Sequence, residues 1–312
     1  MLLGIERDTM PGIELRHTNW LGRETGMQLA ICFALCAGAT WAIGMTAAKP
    51  ALRHIDVLSY MLVRWMLVIP LVLLYGAITN TLILHGGSAV GWAVLAGITD
   101  AVLGGLFYLL AMRRIPAFQC TTLASTAPLW GVTTAILILG EPARWQVFVA
   151  AVLVVAGAYF LVGRRIRIRG HLAGSFLALL TGFLWGVAET VPSKLALGGG
   201  LSPAALLLVF SASALAVLAL ITPVLRRRFP MHVEARGIGL TVFSGLAGAF
   251  LGWIFWLSSL NLAPASAISP IRGSTLVFSL LYSVLFLRER PSGRAVLGVA
   301  LVLAGVVLVS LG

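Results

Sequence analysis

Four ionisable side chains stand inside stretches that are otherwise apolar. Arg64 lies in Tyr60-Met-Leu-Val-Arg64-Trp65 and Arg272 in Ser269-Pro270-Ile-Arg272-Gly273-Ser274, while Asp100 and Glu189 each interrupt a long apolar run. In a bilayer-spanning segment each such charge costs about 3 kcal/mol on insertion scales, so each needs a reason. Arg64 could bind an anion or pair with a carboxylate across a cavity, and its place near one end would also let it snorkel to the interface. Arg272 is the stronger candidate for a cavity. Pro270 removes a backbone donor beside it and Gly273-Ser274 permits bending, as in interrupted helices that line polar cavities. Asp100 and Glu189 are either partners of the two arginines or proton carriers, since a carboxylate in low dielectric binds a proton more readily than one in water. Asp100 lies deeper and is the better candidate for proton coupling. Trp41 and Trp185 fall near the middle of their stretches, away from the interfacial belts, and their indole N–H groups need partners. They are expected to line a cavity, with Tyr108 and Trp256 as a second aromatic pair.

The segments that carry these residues must be membrane helices. The chain has 312 residues, 60% of them hydrophobic and 10% charged, too apolar for a soluble globular protein. About 20 apolar residues span a bilayer core as a helix, and stretches of that kind fall at roughly 27–49, 57–77, 88–112, 116–139, 144–163, 172–196, 203–225, 237–260, 265–287 and 293–311. Residues 1–26 read as a polar tail and 164–171 as a basic linker. The net charge of +12 is a topology signal and not a nucleic-acid footprint. Numbering the loops in order, the odd ones hold fifteen Lys and Arg, and the even ones with both tails hold five. The positive-inside rule then places odd loops in the cytoplasm and both termini outside. Cys32, Cys36 and Cys120 give neither a disulfide framework nor a metal spacing, so neither a metal nor another cofactor is expected.

The chain also repeats itself. Residues 97–157 recur without a gap, 148 positions later, at 245–305: Gly97, Gly104, Phe107, Pro116-Ala117, Glu141 and Gly157 become Gly245, Gly252, Phe255, Pro264-Ala265, Glu289 and Gly305. The first helices align at an offset of 144, with Gly38, Trp41 and Thr46 matching Gly182, Trp185 and Thr190. The expected units are therefore 27–163 and 172–312, five helices each. Because five is odd, the second unit enters the membrane from the opposite side. Two inverted copies offer two mirror-like ways to open a central cavity, the geometry of alternating access. The four charges break the repeat: position 248 is Gly where the first unit has Asp100, and Met45 stands opposite Glu189. Pro116 and Pro264 suit a first helical turn. Glu141 and Glu289 read as structural, serving the next helix N-terminus or a nearby Arg.

Ile115-Pro116-Ala117, Leu139-Gly140-Glu141-Pro142 and Val155-Ala156-Gly157, repeated as Ala263-Pro264-Ala265, Leu287-Arg288-Glu289-Arg290 and Leu303-Ala304-Gly305, resemble the EamA-type domain of the drug/metabolite transporter superfamily. Arg288 and Arg290 replace the Gly and Pro of the first copy and leave the glutamate in place. The resemblance implies an all-α integral membrane protein of ten helices in two inverted repeats, seated in a bacterial cytoplasmic membrane. It further implies a secondary exporter of small metabolites such as amino acids, with protons as a possible coupling ion. It does not choose among amino acids, organic anions, nucleosides and drugs. An intramembrane enzyme would need a metal or nucleophile motif, and an ATP-driven pump a Walker sequence, neither of which occurs. A passive channel or scaffold has little use for inverted halves.

Overall fold

The computed structural model describes residues 20–84, 87–115, 120, 123–162, 172–227, 230–287 and 292–310. Among these it is all-helical apart from turns and one isolated bridge between Ile55 and Val233. In chain order the helices are α1 (Trp20–Ala51), α2 (Val57–Thr79), α3 (Gly87–Gly97), α4 (Gly105–Met112), α5 (Ala127–Leu139), α6 (Trp145–Val162) and α7 (Leu172–Gly198). The second half continues with α8 (Pro203–Leu225), α9 (Ala235–Ser244), α10 (Gly252–Leu262), α11 (Ala265–Ile268), α12 (Ser274–Leu287) and α13 (Gly293–Ser310). Among the described residues six stretches are helical, long and apolar enough to cross a membrane: Thr25–Ala48, Val57–Thr79, Gly87–Met112, Leu172–Gly198, Pro203–Leu225 and Ala235–Leu262. Three shorter apolar helices cover Ala127–Leu139, Trp145–Phe160 and Gly293–Leu308. Leu74, Ile78, Leu137 and Leu220 are exposed on the outer surface, which suits hydrocarbon and not water.

Three local features depart from plain spans. Helix α1 starts at Trp20, inside the stretch read as a polar tail. The expected span 265–287 is broken into one α-turn, a 3-10 segment at Ser269–Gly273, and α12. Pro270 supplies no N–H at that point, which loosens the ladder. The spans 87–112 and 235–262 each carry a π-helical segment, at Ile98–Gly104 and Gly245–Leu251. These two segments fall at equivalent places in the repeat, and Asp100 is in the first. Such wide turns are frequent at functional sites. The Pro116-Ala117 dipeptide, Glu289 and the 164–171 linker lie outside the described residues.

Packing between the halves is reciprocal, residue by residue. A Cβ added at Gly157 would stand 2.7 Å from the Gly298 carbonyl oxygen and 2.7 Å from Val302, and one at Gly305 would stand 2.9 Å from the Ala150 carbonyl oxygen and 3.2 Å from Val154. Gly305, Gly298 and Val302 are the repeat mates of Gly157, Ala150 and Val154, so each helix of the α6–α13 pair offers the other the same surface. The first helices exchange partners too. Gly38 of α1 meets Ser274 of α12, and Gly182 of α7 meets Thr126, the mate of Ser274. Reciprocal contact of this kind is what a twofold relation produces.

The loop contacts sort by parity. Asp56 accepts from the Leu58 and Ser59 amides at the start of α2, pairs with Arg226 at 3.0 Å, and accepts from the His232 amide. Burial pushes the Asp56 carboxyl up, but the bonds from Ser59, His232 and Arg226 outweigh it and hold it below the ordinary carboxylate range. Glu234 pairs with His54 at 2.5 Å on the same face. All of these belong to odd loops. On the other face Ser202, which caps α8 by accepting from Ala205 N–H, also donates to Thr81 O, joining two even loops.

The glycine contacts give a direct test. Gly157→Ala forces a methyl against a backbone carbonyl that cannot move without its helix, and overpacking of this kind costs about 1–3 kcal/mol. The thermal midpoint of the purified protein should fall in Gly157→Ala and in Gly305→Ala, whereas Gly91→Ala, with open space around it, should leave it in place.

Candidate functional site

The four charges that interrupt apolar stretches converge on one cavity. Its volume is about 1110 Å³, mouth included, and Arg64, Asp100, Glu189 and Arg272 all line it. It begins at the seam between the halves and reaches toward the odd-loop ends of α1, α2 and α4, where Ala48, Tyr60 and Leu109 complete the wall. Toward the even-loop face it is backed by hydrogen-bonded helix ends. Lys194 of α7 donates to the carbonyls of Leu260 and of Ala263, at 2.8 Å for the latter, and so satisfies acceptors left at the end of α10. Glu141 of the first half accepts from Ala265 N–H at 2.8 Å and Ser266 N–H at 2.7 Å. The expected role of this carboxylate at a helix N-terminus therefore appears with a different partner, a helix of the other half and not the next one in sequence. Both loops are even, so the parity that separates Glu141 from odd-loop helices brings it to α11.

Arg272 sits on the 3-10 segment, and Glu189, in α7, is 3% exposed. The guanidinium donates two hydrogen bonds to the Glu189 carboxylate, Nε to Oε2 and Nη2 to Oε1, the second at 2.7 Å. A bidentate fork of this kind is the strongest form of arginine–carboxylate contact. Trp41 and Trp185 flank the same guanidinium, with ring centroids 5.4 and 5.2 Å from Cζ, within range of cation–π attraction. One arginine thus meets the two repeat-mate tryptophans and a carboxylate together. Each tryptophan is held in turn by the opposite half: Trp185 lies against Gly104 and Tyr108, and Trp41 against their mates Gly252 and Trp256. A Cβ at Gly104 would stand 2.7 Å from the Trp185 ring, so these glycines admit the indoles.

Of the residues expected at the site, Arg272, Trp41, Trp185, Arg64, Tyr108, Asp100 and Glu189 line the cavity. Trp256 is placed behind the wall, fully buried against Trp41, where its Nε1–H donates to the Glu189 carbonyl oxygen at 3.1 Å. It steadies the turn that holds the carboxylate. Sequence reasoning missed Tyr60, Met61, Trp65 and Trp253 as lining residues. Trp65 was legible as the neighbour of Arg64, and Tyr60 as its mate one turn back. Tyr60 hydrogen-bonds Ser244 at 2.7 Å, and Ser244 donates to Gly44 O, tying α1, α2 and α9 at the π segment. Arg64 and Asp100 differ from the pair. Arg64 Nε and Asp100 Oδ2 are buried without a hydrogen-bond partner among the described residues. No group of His, Cys, Asp and Glu that could hold a metal is found among the described residues.

The model of the EamA-like transporter family matches this chain twice, over residues 28–163 and 172–311. An uncharacterized transporter of Archaeoglobus fulgidus is 24% identical over 228 residues, covering 70% of this chain and 75% of that protein. The uncharacterized transporter YwfM of Bacillus subtilis is 26% identical over 217 residues, covering 69% and 72%. A solved crystal structure, 18% identical, shares the fold with a TM-score of 0.75 over 90% of this chain and 96% of that one.

The ion pair makes an asymmetric prediction. Breaking a buried pair by removing one partner costs about 3–5 kcal/mol. A stranded carboxylate can take up a proton, whereas a stranded guanidinium cannot release one. Glu189→Gln should therefore lower the thermal midpoint more than Arg272→Gln, and Glu189→Leu with Arg272→Met should recover part of the loss. Transport lost on removing Arg272 alone would therefore include the cost of stranding Glu189.

Proposed function

We propose, from the premise that the chain belongs to the EamA-like transporter family, that it is a secondary carrier moving a small metabolite by alternating access. Two inverted five-helix halves would rock about the cavity that holds the Arg272–Glu189 pair. The observation that carries this reading is the reciprocal packing of repeat mates around a charged cavity. Gly157 and Gly305, Gly38 and Gly182, and Trp41 and Trp185 each play the same part for the opposite half. A twofold relation between halves of odd helix number places its axis in the membrane plane and makes two mirror states near in energy. The sorting of loop contacts by parity agrees with ten crossings. Under the positive-inside orientation, the cavity of this state runs toward the cytoplasm and the contacts of Glu141, Lys194 and Ser202 seal the outer face.

The substrate lies between Trp41, Trp185 and Trp253, with Arg64 and Asp100 as the polar groups left free to meet it. Small organic metabolites, amino acids among them, suit such a mixed aromatic and charged chamber, and the resemblance to metabolite exporters gives the direction. Asp100 is the coupling group. It is buried in the π segment, it faces the cavity, and one of its oxygens has no partner among the described residues. A proton bound or released at that oxygen as substrate enters and leaves couples proton movement to transport.

Reconstitution tests this. In proteoliposomes loaded with a mixture of amino acids, nucleosides, organic acids and amines, the wild-type protein should release at least one compound in response to an imposed pH gradient. Asp100→Asn should reduce that release to the level seen without a gradient while still exchanging labelled for unlabelled solute. Coupling that survives in Asp100→Asn removes Asp100 from the proton path, and a protein that moves none of these compounds removes the carrier reading. A cysteine in place of Arg53, in the first odd loop, should resist impermeant thiol reagents in intact cells; ready labelling would reverse the orientation.

A further inference from the structure

The two arginines of the cavity stand in opposite electrostatic situations. Arg272 is closed: both arms of a carboxylate hold it and two indoles cover its faces. Arg64 is open. None of the ion pairs among the described residues includes it, and its Nε is buried with no hydrogen-bond partner. Its guanidinium lies over the ring of Trp65, 5.5 Å from Cζ to the centroid, and it lines the cavity wall. A guanidinium carries five donors and cannot lose its charge. Left without an anion in a low-dielectric chamber it would be costly.

The repeat shows where the missing counter-charge would come from. The backbone position that presents Asp100 in the first half is Gly248 in the second, within the matching π segment. Arg64 lies beside that glycine: a Cβ built on Gly248 would stand 3.5 Å from Arg64 Nη2, at ordinary contact distance. A carboxylate at 248 would meet the guanidinium directly, but the chain has no side chain there. Arg64, Trp41 and Gly44, the three residues that such a Cβ would touch, all line the cavity.

We infer that the cavity binds a small organic carboxylate whose anionic group ends on Arg64, in the place that a side chain at position 248 would have filled. This rests on the reading of the cavity as the substrate chamber. The aromatic wall of Trp41, Trp65 and Trp253 takes the apolar body of the molecule, and the carboxylate pairs with the cavity arginine that has no ion-pair partner among the described residues. Arg64 reads the charge, while Arg272, already satisfied, holds the two halves together.

Phenylglyoxal modification of the detergent-purified protein, mapped by peptide mass spectrometry, tests the assignment with 3-phenylpropionate and its neutral amide as probes. Arg64 should react and Arg272 should be slower. 3-Phenylpropionate should protect Arg64 at least about tenfold better than the amide does, the ratio expected for a charge-assisted hydrogen bond. Gly248→Asp should protect Arg64 without any ligand and abolish the response to 3-phenylpropionate, while Gly248→Ala should behave as wild type. Should Gly248→Asp fail to fold, Arg64→Gln supplies the second arm: the change in tryptophan fluorescence produced by 3-phenylpropionate should vanish in it. Equal protection by acid and amide, protection by neither, or a fluorescence response that survives Arg64→Gln overturns the inference. These readouts report occupancy and not flux. A cavity that binds the acid but moves nothing overturns the carrier reading alone, and one that exchanges solutes without regard to charge overturns the anion site alone.

Discussion

Nothing in this molecule constrains the rest as strongly as the buried contact of Arg272 with Glu189. A guanidinium and a carboxylate taken from water lose several kcal/mol each, and only close pairing with further support recovers it. Here the support comes from everywhere around. The 3-10 segment at Ser269–Gly273 turns Arg272 toward α7, Trp256 fixes the backbone of Glu189, and Trp41 and Trp185 close over the guanidinium. Those indoles fit only because Gly252 and Gly104 carry no Cβ. Helices α1, α7, α10 and the broken α11–α12 span are therefore committed by one ion pair, and the cavity occupies the space that they leave.

Much of the scaffold was legible in the sequence because it follows from two simple patterns. Apolar stretches of bilayer length announce helices, and a gapless echo at 148 residues announces two like halves. Pro270 beside Gly273 marked the interruption for the same local reason that breaks the ladder in the structure. The four charges were legible too, since each offends the composition around it. Which charge meets which was not. Arg272 could have paired with Asp100, and only the fold of α7 across the seam selects Glu189. The π segments left no signal that periodicity could detect, because one widened turn barely shifts an apolar pattern. Trp256 looked like Tyr108 by the repeat, yet Tyr108 reaches the cavity and Trp256 points behind its wall. The twofold matches backbone positions more closely than it matches the ends of side chains. Glu141 shows the same limit. Its chemistry as a helix N-terminal acceptor was readable, but its partner lies 124 residues away and is set by which loops share a membrane face.

Symmetry and asymmetry divide the labour. Residues that repeat, such as Gly157 with Gly305 and Trp41 with Trp185, build contacts that both halves use alike. Under the proposed mechanism, contacts shared in this way would be exchanged between two mirror states at little net cost. Residues that do not repeat cannot be exchanged. Asp100 stands opposite Gly248 in the repeat, and Glu189 opposite Met45, so under the proposed alternating access the two states would present different charges to a bound molecule.

This difference gives the second arginine its meaning. If both halves had carried an aspartate in the π segment, Arg64 would meet a carboxylate of the protein and the cavity would be internally neutralised. With glycine at 248 the guanidinium keeps its charge and its donors facing the chamber, while Asp100 keeps one oxygen unpartnered elsewhere in the same chamber. A guanidinium Nε and a carboxylate oxygen, both buried without a hydrogen-bond partner among the described residues, leave the polar groups of the chamber incompletely satisfied. In the proposed complex, completion of the site by a ligand gives that ligand an orientation: its anionic end toward α2 and its body along Trp41, Trp65 and Trp253.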